Sequence, residues 1–192
     1  MAMVESAADS ERPALVVDID GVFNIWSKAA PEGCLPRPER MFRETTYYNP
    51  IHGEWIRHVH EALADIYYIS DLRADAHTSM SQIHDWPKFD WIDIWPYHNR
   101  VKSDHALRAM AITALFGDRP VAWIDDIVTD LEFRWAKVRS NTQGAPTLVV
   151  KTELDAGLQP EQMTEVEGWL INAATGKLEK PGTEAEKAKV KK

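Results

Sequence analysis

With 192 residues, 44% of them hydrophobic, and a formal charge of −8, the chain can bury one α/β core and has little room for a second domain. Its acidity excludes nucleic-acid binding by bulk charge and leaves only a local basic pocket for such a partner. No apolar run approaches the ~20 residues that span a bilayer, and a single cysteine, Cys34, rules out an internal disulfide and a cysteine-based zinc site.

Residues 1–12 are polar and carry acids, unlike a signal or transit peptide, so a cytoplasmic protein with a loose leader is expected. Ala14-Leu-Val-Val17 is short, apolar and rich in β-branched residues, the pattern of a fully buried strand. Trp26 to Arg40 holds three Pro and mixed charges and reads as a loop, and Met41 to Tyr48 as a strand or hairpin arm. Asn49-Pro50 predicts a helix start, Asn as N-cap and Pro at the first helical position. Ile51, Trp55, Val59 and Leu63 then give one apolar stripe at four-residue spacing.

Ile66 to Ile69 predicts a second buried strand, Ala76 to His84 a helix, and Trp91 to Trp95 a third strand. Ser103 is placed to cap a helix whose buried face is Leu107, Met110, Ala111, Ala114 and Leu115 and which ends at Gly117. Val121 to Ile124 is another strand, followed by a helix with Ile127, Leu131, Trp135 and Val138 on its apolar face. Thr147 to Val150 and Pro160 to Leu170 close the series as a strand and a helix. Strands alternating with helices predict an α/β fold, a Rossmann-like parallel sheet with helices on both faces, over residues 13–172. From Ala173 onward six Lys and three Glu without apolar period read as a flexible basic tail, 173–192.

Chemistry gathers where the strands end. Asp18-Ile-Asp20-Gly21 follows the first, Ser70-Asp71 the second, and Asp125-Asp126 the strand at Val121 to Ile124, with Lys102 just before a helix. Ligands of open parallel sheets sit outside the carboxyl ends of the strands. Each piece alone has an ordinary explanation: a turn for Asp-x-Asp, a helix cap for Asp125-Asp126, a turn residue for Ser70, a solvated Lys102. Together they are harder to dismiss. Two unit charges about 5 Å apart repel by roughly 3 kcal/mol at an effective dielectric near 20. Converging carboxylates therefore call for a cation, and a hard, oxygen-seeking ion such as Mg²⁺ suits them.

The same segments resemble the haloacid dehalogenase (HAD) superfamily. Leu15-Val-Val-Asp18-Ile-Asp20-Gly21-Val22 is similar to its first motif and Ile66 to Ser70 to its second. Lys102 matches the third, and Val121 to Asp126 the fourth in its double-Asp form. The resemblance implies a Mg²⁺-dependent phosphatase working through an aspartyl-phosphate. Asp18 would be the nucleophile, Asp20 the acid/base, Ser70 a hydrogen-bond donor to the phosphoryl oxygen and Lys102 the neutralising cation. The metal would be held by Asp18, the backbone carbonyl of Asp20 and Asp126, with Asp125 in a supporting place.

Only 52 positions separate Asp18 from Ser70, and 32 separate Ser70 from Lys102. Neither gap holds a large cap domain, so a capless site with a small flap within Phe23 to Tyr48 is expected. Such a site suits a bulky substrate, a nucleotide or a nucleic-acid end. Gly21, Asp71, Arg73, Arg43, Arg37, Arg40, Trp26, Tyr47 and Tyr48 are candidate contacts, although Tyr47 and Tyr48 also fit hairpin packing and the arginines a solvated surface. Small metabolites and phosphoproteins stay open as substrates. A receiver domain of response regulators fits less well, because there the acidic pair comes first. A dehalogenase needs neither Asp20 nor Asp126. A non-catalytic binding or regulatory protein on the same fold is the alternative from another class. The seven His show no ligand spacing that would suggest zinc.

Overall fold

A computed structural model describes residues 10–38, 45–70, 72, 75–97 and 104–178. Strand β1 is Ala14–Val17, followed by β2 (Leu35–Pro36), β3 (Tyr47–Tyr48), helix α1 (Ile51–Ala62), β4 (Asp65–Tyr68) and α2 (Asp75–His84). Then come β5 (Asp90–Trp91), a 3-10 turn at Trp95–Tyr97, α3 (Asp104–Phe116), β6 (Val121–Asp125), α4 (Asp130–Gln143), β7 (Thr147–Lys151) and α5 (Pro160–Ala174). Five strands form one parallel sheet in the order β5-β4-β1-β6-β7, while β2 and β3 pair antiparallel as a separate hairpin.

The central strand β1 is buried along its whole length, and successive residues point to opposite faces. Leu15 and Val17 join a core with Trp55, Ile56 and Val59 of α1, Met80 of α2 and Leu170 of α5. Ala14 and Val16 join a second core with Ile112 and Phe116 of α3 and Ala136 of α4. Helices therefore cover both faces, the arrangement that near-continuous apolar strands require. Among the described residues no helix is long and apolar enough to cross a membrane.

Several expectations need correction. The loop expected from Trp26 to Arg40 contains β2, whose partner β3 lies within the expected hairpin arm; residues 39–44 lie outside the described part. Asn49 does accept the Ile51 N–H (3.2 Å), but the helix starts at Ile51, so Pro50, with helical dihedrals, stands at the N-cap instead of the first helical position. The stripe on α1 is rotated, however: Ile51 is exposed, and His52, Gly53 and Ile56 are buried beside Trp55 and Val59. The third strand is shorter than Trp91 to Trp95, giving way to the 3-10 turn. On α3, Ala114 is exposed and the buried line includes Arg108, Ile112 and Phe116.

The largest difference is at α4. Leu131 and Val138, expected in the core, are 65% and 56% exposed, while Glu132, Ala136 and Arg139 face inward. Polar anchoring sets this helical phase. Glu132 accepts hydrogen bonds from Thr129 in a capping box, and Arg139 donates to the carbonyls of Gly117 (2.7 Å) and Arg119 (2.9 Å) and to Thr147 Oγ1 (2.6 Å). A buried backbone carbonyl left without a donor costs about 1–3 kcal/mol, and Arg139 removes that cost at Gly117 and Arg119.

The described end of the leader is tied down. Ser10 Oγ donates to Asp65 (2.6 Å), and Arg12 donates to the carbonyls of His60 and Ala64. Helix α5 runs to Ala174, and residues 179–192 lie outside the described part.

Candidate active site at the carboxyl rim

Strand alternation decides which acids meet. Val16 and Trp123 face the α3 side of the sheet, and two residues later Asp18 and Asp125 point the same way. The parallel pairing of Val17 with Ile124 sets these carboxylates side by side. Asp126 follows directly, and carboxylate oxygens of Asp18, Asp125 and Asp126 lie within 4.8 Å of one another.

Between the first two stands Arg108 of α3, buried to 3% exposure. Its Nη1 donates to Asp18 Oδ2 and to Asp125 Oδ2, both at 2.5 Å. Asp18 Oδ1 accepts the Ile19 N–H at 2.6 Å. Asp125 is fully enclosed: its Oδ2 also accepts from Trp123 Nε1 (3.0 Å) and its Oδ1 from the Ile127 N–H (3.0 Å). Asp126 is only half-buried.

Electrostatics follow from that packing. Burial lifts the Asp18 carboxyl to about 6; Arg108 pulls it down and Asp125 pushes it up. Asp125 is raised by burial against the pull of Arg108, and Asp126 by burial and then by the Asp18 charge. Burial works against the Arg108 charge, but Asp18 and Asp125 override it and hold the guanidinium above its usual range. Three carboxylates thus face one described cation in this cluster. All donors are oxygens, and the set is anionic; both properties suit a hard divalent cation such as Mg²⁺.

Gly21 explains how the chain turns off the sheet so close to these acids. Its φ is +70°, and a Cβ there would stand 2.4 Å from Asp126 Cγ. Only glycine allows this approach. Thr152, just past β7, donates from Oγ1 to the Gly21 carbonyl (2.7 Å) and from its N–H to the Asp125 carbonyl (3.2 Å), so three strand ends are bound together.

Asp20 points into a different set of contacts. Its Oδ1 accepts from Asn24 Nδ2 (3.0 Å) and Trp26 Nε1 (3.1 Å). Asn24 in turn accepts from Arg37 Nη1, and Arg37 Nη2 reaches the Ser79 carbonyl (3.0 Å) and hydroxyl (3.1 Å). Arg37 is therefore a buried tie between the hairpin and α2, which corrects its reading as a substrate contact on an open rim. Trp26 likewise meets Asp20. Tyr47 and Tyr48 are half-buried in the hairpin, with Tyr48 edge-on to His84 at 5.4 Å.

Ser70 is buried just past β4, on the strand next to β1, where the Ile69 N–H donates to the Val17 carbonyl. Lys102, Asp71, Arg73, Arg40 and Arg43 lie outside the described residues. The residue that sequence reasoning missed is Arg108. Its signal was the line Arg108, Ile112, Phe116 at four-residue spacing, a cation heading an otherwise apolar buried stripe. Searches of family descriptions, curated proteins and solved structures match nothing to this chain.

Proposed function

We propose that the chain is a Mg²⁺-dependent phosphatase of the HAD type, capless, acting on a nucleotide or a nucleic-acid-end phosphate. The observation that carries this reading is the cluster itself. Asp18, Asp125 and Asp126 converge within 4.8 Å at the carboxyl ends of two neighbouring parallel strands. Ser70 follows the strand on the other side of β1.

In this reading Asp18, Asp126 and the Asp20 carbonyl would hold the Mg²⁺, which would supply positive charge against the phosphate oxygens. Asp18 attacks phosphorus and forms the aspartyl-phosphate as the leaving oxygen departs. Asp20 gives that oxygen a proton and later takes one from the hydrolytic water. The donors Asn24 and Trp26 hold one Asp20 oxygen and leave the other for proton transfer. Ser70 donates to the phosphoryl group, and Lys102 balances the remaining charge. The work is positioning and charge neutralisation, as phosphoryl transfer demands.

The test is a screen of an aryl phosphate, nucleotides, phosphorylated oligonucleotides, phosphopeptides and sugar phosphates with Mg²⁺, run beside Asp18→Asn. Hydrolysis that needs Mg²⁺ and falls by more than tenfold in Asp18→Asn is expected. That drop corresponds to at least about 1.4 kcal/mol of barrier. An Asp18→Asn variant keeping more than about a tenth of kcat removes Asp18 as nucleophile. A sugar phosphate preferred over every nucleotide or oligonucleotide refutes the substrate class.

A further inference from the structure

Arg108 has no part in the chemistry just described, yet it makes the closest contacts in the cluster. We propose that Arg108 is the positioning residue of this site, an internal counter-ion that locks Asp18 and Asp125 in place and leaves Asp126 as the carboxylate through which the divalent cation enters beside Asp18. This deepens the phosphatase reading and rests on it for the nucleophile.

The geometry divides the three carboxylates unequally. One guanidinium nitrogen, Nη1, bridges Asp18 Oδ2 and Asp125 Oδ2 at 2.5 Å each, on a side chain that is almost wholly buried. Asp125 receives two more hydrogen bonds, from Trp123 Nε1 and the Ile127 N–H, so both its oxygens are engaged. Asp18 is held through Oδ1 by the Ile19 N–H and through Oδ2 by Arg108. Asp126, half-buried over Gly21, is the most accessible of the three to an ion arriving from solvent. A carboxylate clamped by charge-assisted bonds keeps one orientation, which a nucleophile needs for an in-line approach.

A second consequence concerns the ion. Arg108 supplies one positive charge beside the cluster whether or not a metal is bound. It therefore competes electrostatically with the metal while stabilising the metal-free fold. Removing that charge should make the site a tighter metal trap and a poorer catalyst.

The experiment compares wild type, Arg108→Met, which keeps the stem without the charge, and Arg108→Lys, which keeps the charge. Mg²⁺ binding is measured by calorimetry, and kcat and KM with an aryl phosphate. Arg108→Met should bind Mg²⁺ at least tenfold more tightly, about 1.4 kcal/mol, and lose at least tenfold in kcat with KM changed less than threefold. Arg108→Lys should stay within threefold of wild type in Mg²⁺ affinity. Should Arg108→Met not fold, Arg108→Met combined with Asp125→Asn restores charge balance, and its Mg²⁺ affinity should match wild type within threefold. Mg²⁺ affinity unchanged or weakened in Arg108→Met, or altered more than tenfold in the balanced double variant, overturns the proposal. A wild type that binds Mg²⁺ but hydrolyses no phosphomonoester refutes the phosphatase reading alone, because the calorimetric comparison needs no turnover.

Discussion

Replacing Gly21 with alanine tests whether the turn after β1 is built around Asp126. The perturbation has two parts. Alanine at φ +70° carries the left-handed penalty of about 1–2 kcal/mol. Its Cβ would also stand 2.4 Å from Asp126 Cγ, 2.5 Å from Asp126 Cβ and 2.6 Å from Asp126 Oδ2. That is about 1 Å inside ordinary carbon contact, an overlap costing roughly 1–3 kcal/mol if the chain shifts to relieve it. Two other glycines separate the parts. Gly144, at φ +66°, has nothing within 4 Å of where an alanine Cβ would stand, so Gly144→Ala carries the backbone penalty alone. Gly157, at φ +69°, would meet Ile25 Cγ1 at 2.7 Å and the Val22 carbonyl at 2.8 Å, an overlap that does not involve the acids. Urea unfolding should rank Gly144→Ala as the mildest, with Gly21→Ala and Gly157→Ala each about 1–3 kcal/mol worse. Calorimetric Mg²⁺ titration should show weakened binding in Gly21→Ala only. If Gly21→Ala unfolds no more easily than Gly144→Ala, or binds Mg²⁺ as wild type does, the turn is not shaped by Asp126.

The paired acids should separate stability from metal binding. Asp125→Ala leaves Arg108 paired with Asp18 but strips Trp123 Nε1 and the Ile127 N–H of their acceptor, and should cost about 1–3 kcal/mol of stability, whereas Asp126→Ala should cost less and lose more Mg²⁺ affinity; the reverse ranking in paired urea and calorimetric titrations would refute the assignment. His52 supplies a pH dependence. It is fully buried with Nε2 2.8 Å from the Leu158 carbonyl, and burial lowers it to about 4. The unfolded chain therefore takes up a proton near pH 6.5 that the folded chain refuses until about 4, so His52 favours folding above that window and stability falls as pH drops through it, by up to about 3 kcal/mol. Asp18, raised to about 6, acts with the opposite sign, because its contribution grows as the pH falls below 6. Wild type minus His52→Gln, followed by urea unfolding from pH 7 to 4, isolates the histidine; parallel curves would mean that it does not titrate this way.

The order of elements and the acids at the strand ends were legible in the sequence because both rest on local signals. Four-residue apolar runs such as Ala14–Val17 and Val121–Ile124 are buried on both faces, and chemistry then starts where apolar character stops. Asn49-Pro50 marked a helix start for an equally local reason, a side-chain cap and a preset φ. What the sequence left undetermined depends on which groups meet across the fold. Leu131 and Val138 have helical spacing, but Arg139 and Glu132 turned α4 the other way, because distant carbonyls at Gly117 and Arg119 needed donors. Arg37 read as a surface cation until the hairpin brought it against Asn24 and Ser79. Arg108 sits 90 residues from Asp18 and 17 from Asp125, separations over which no local pattern reports contact. Periodicity can say that a side chain faces inward; only the packed sheet and helices decide which charge it finds there.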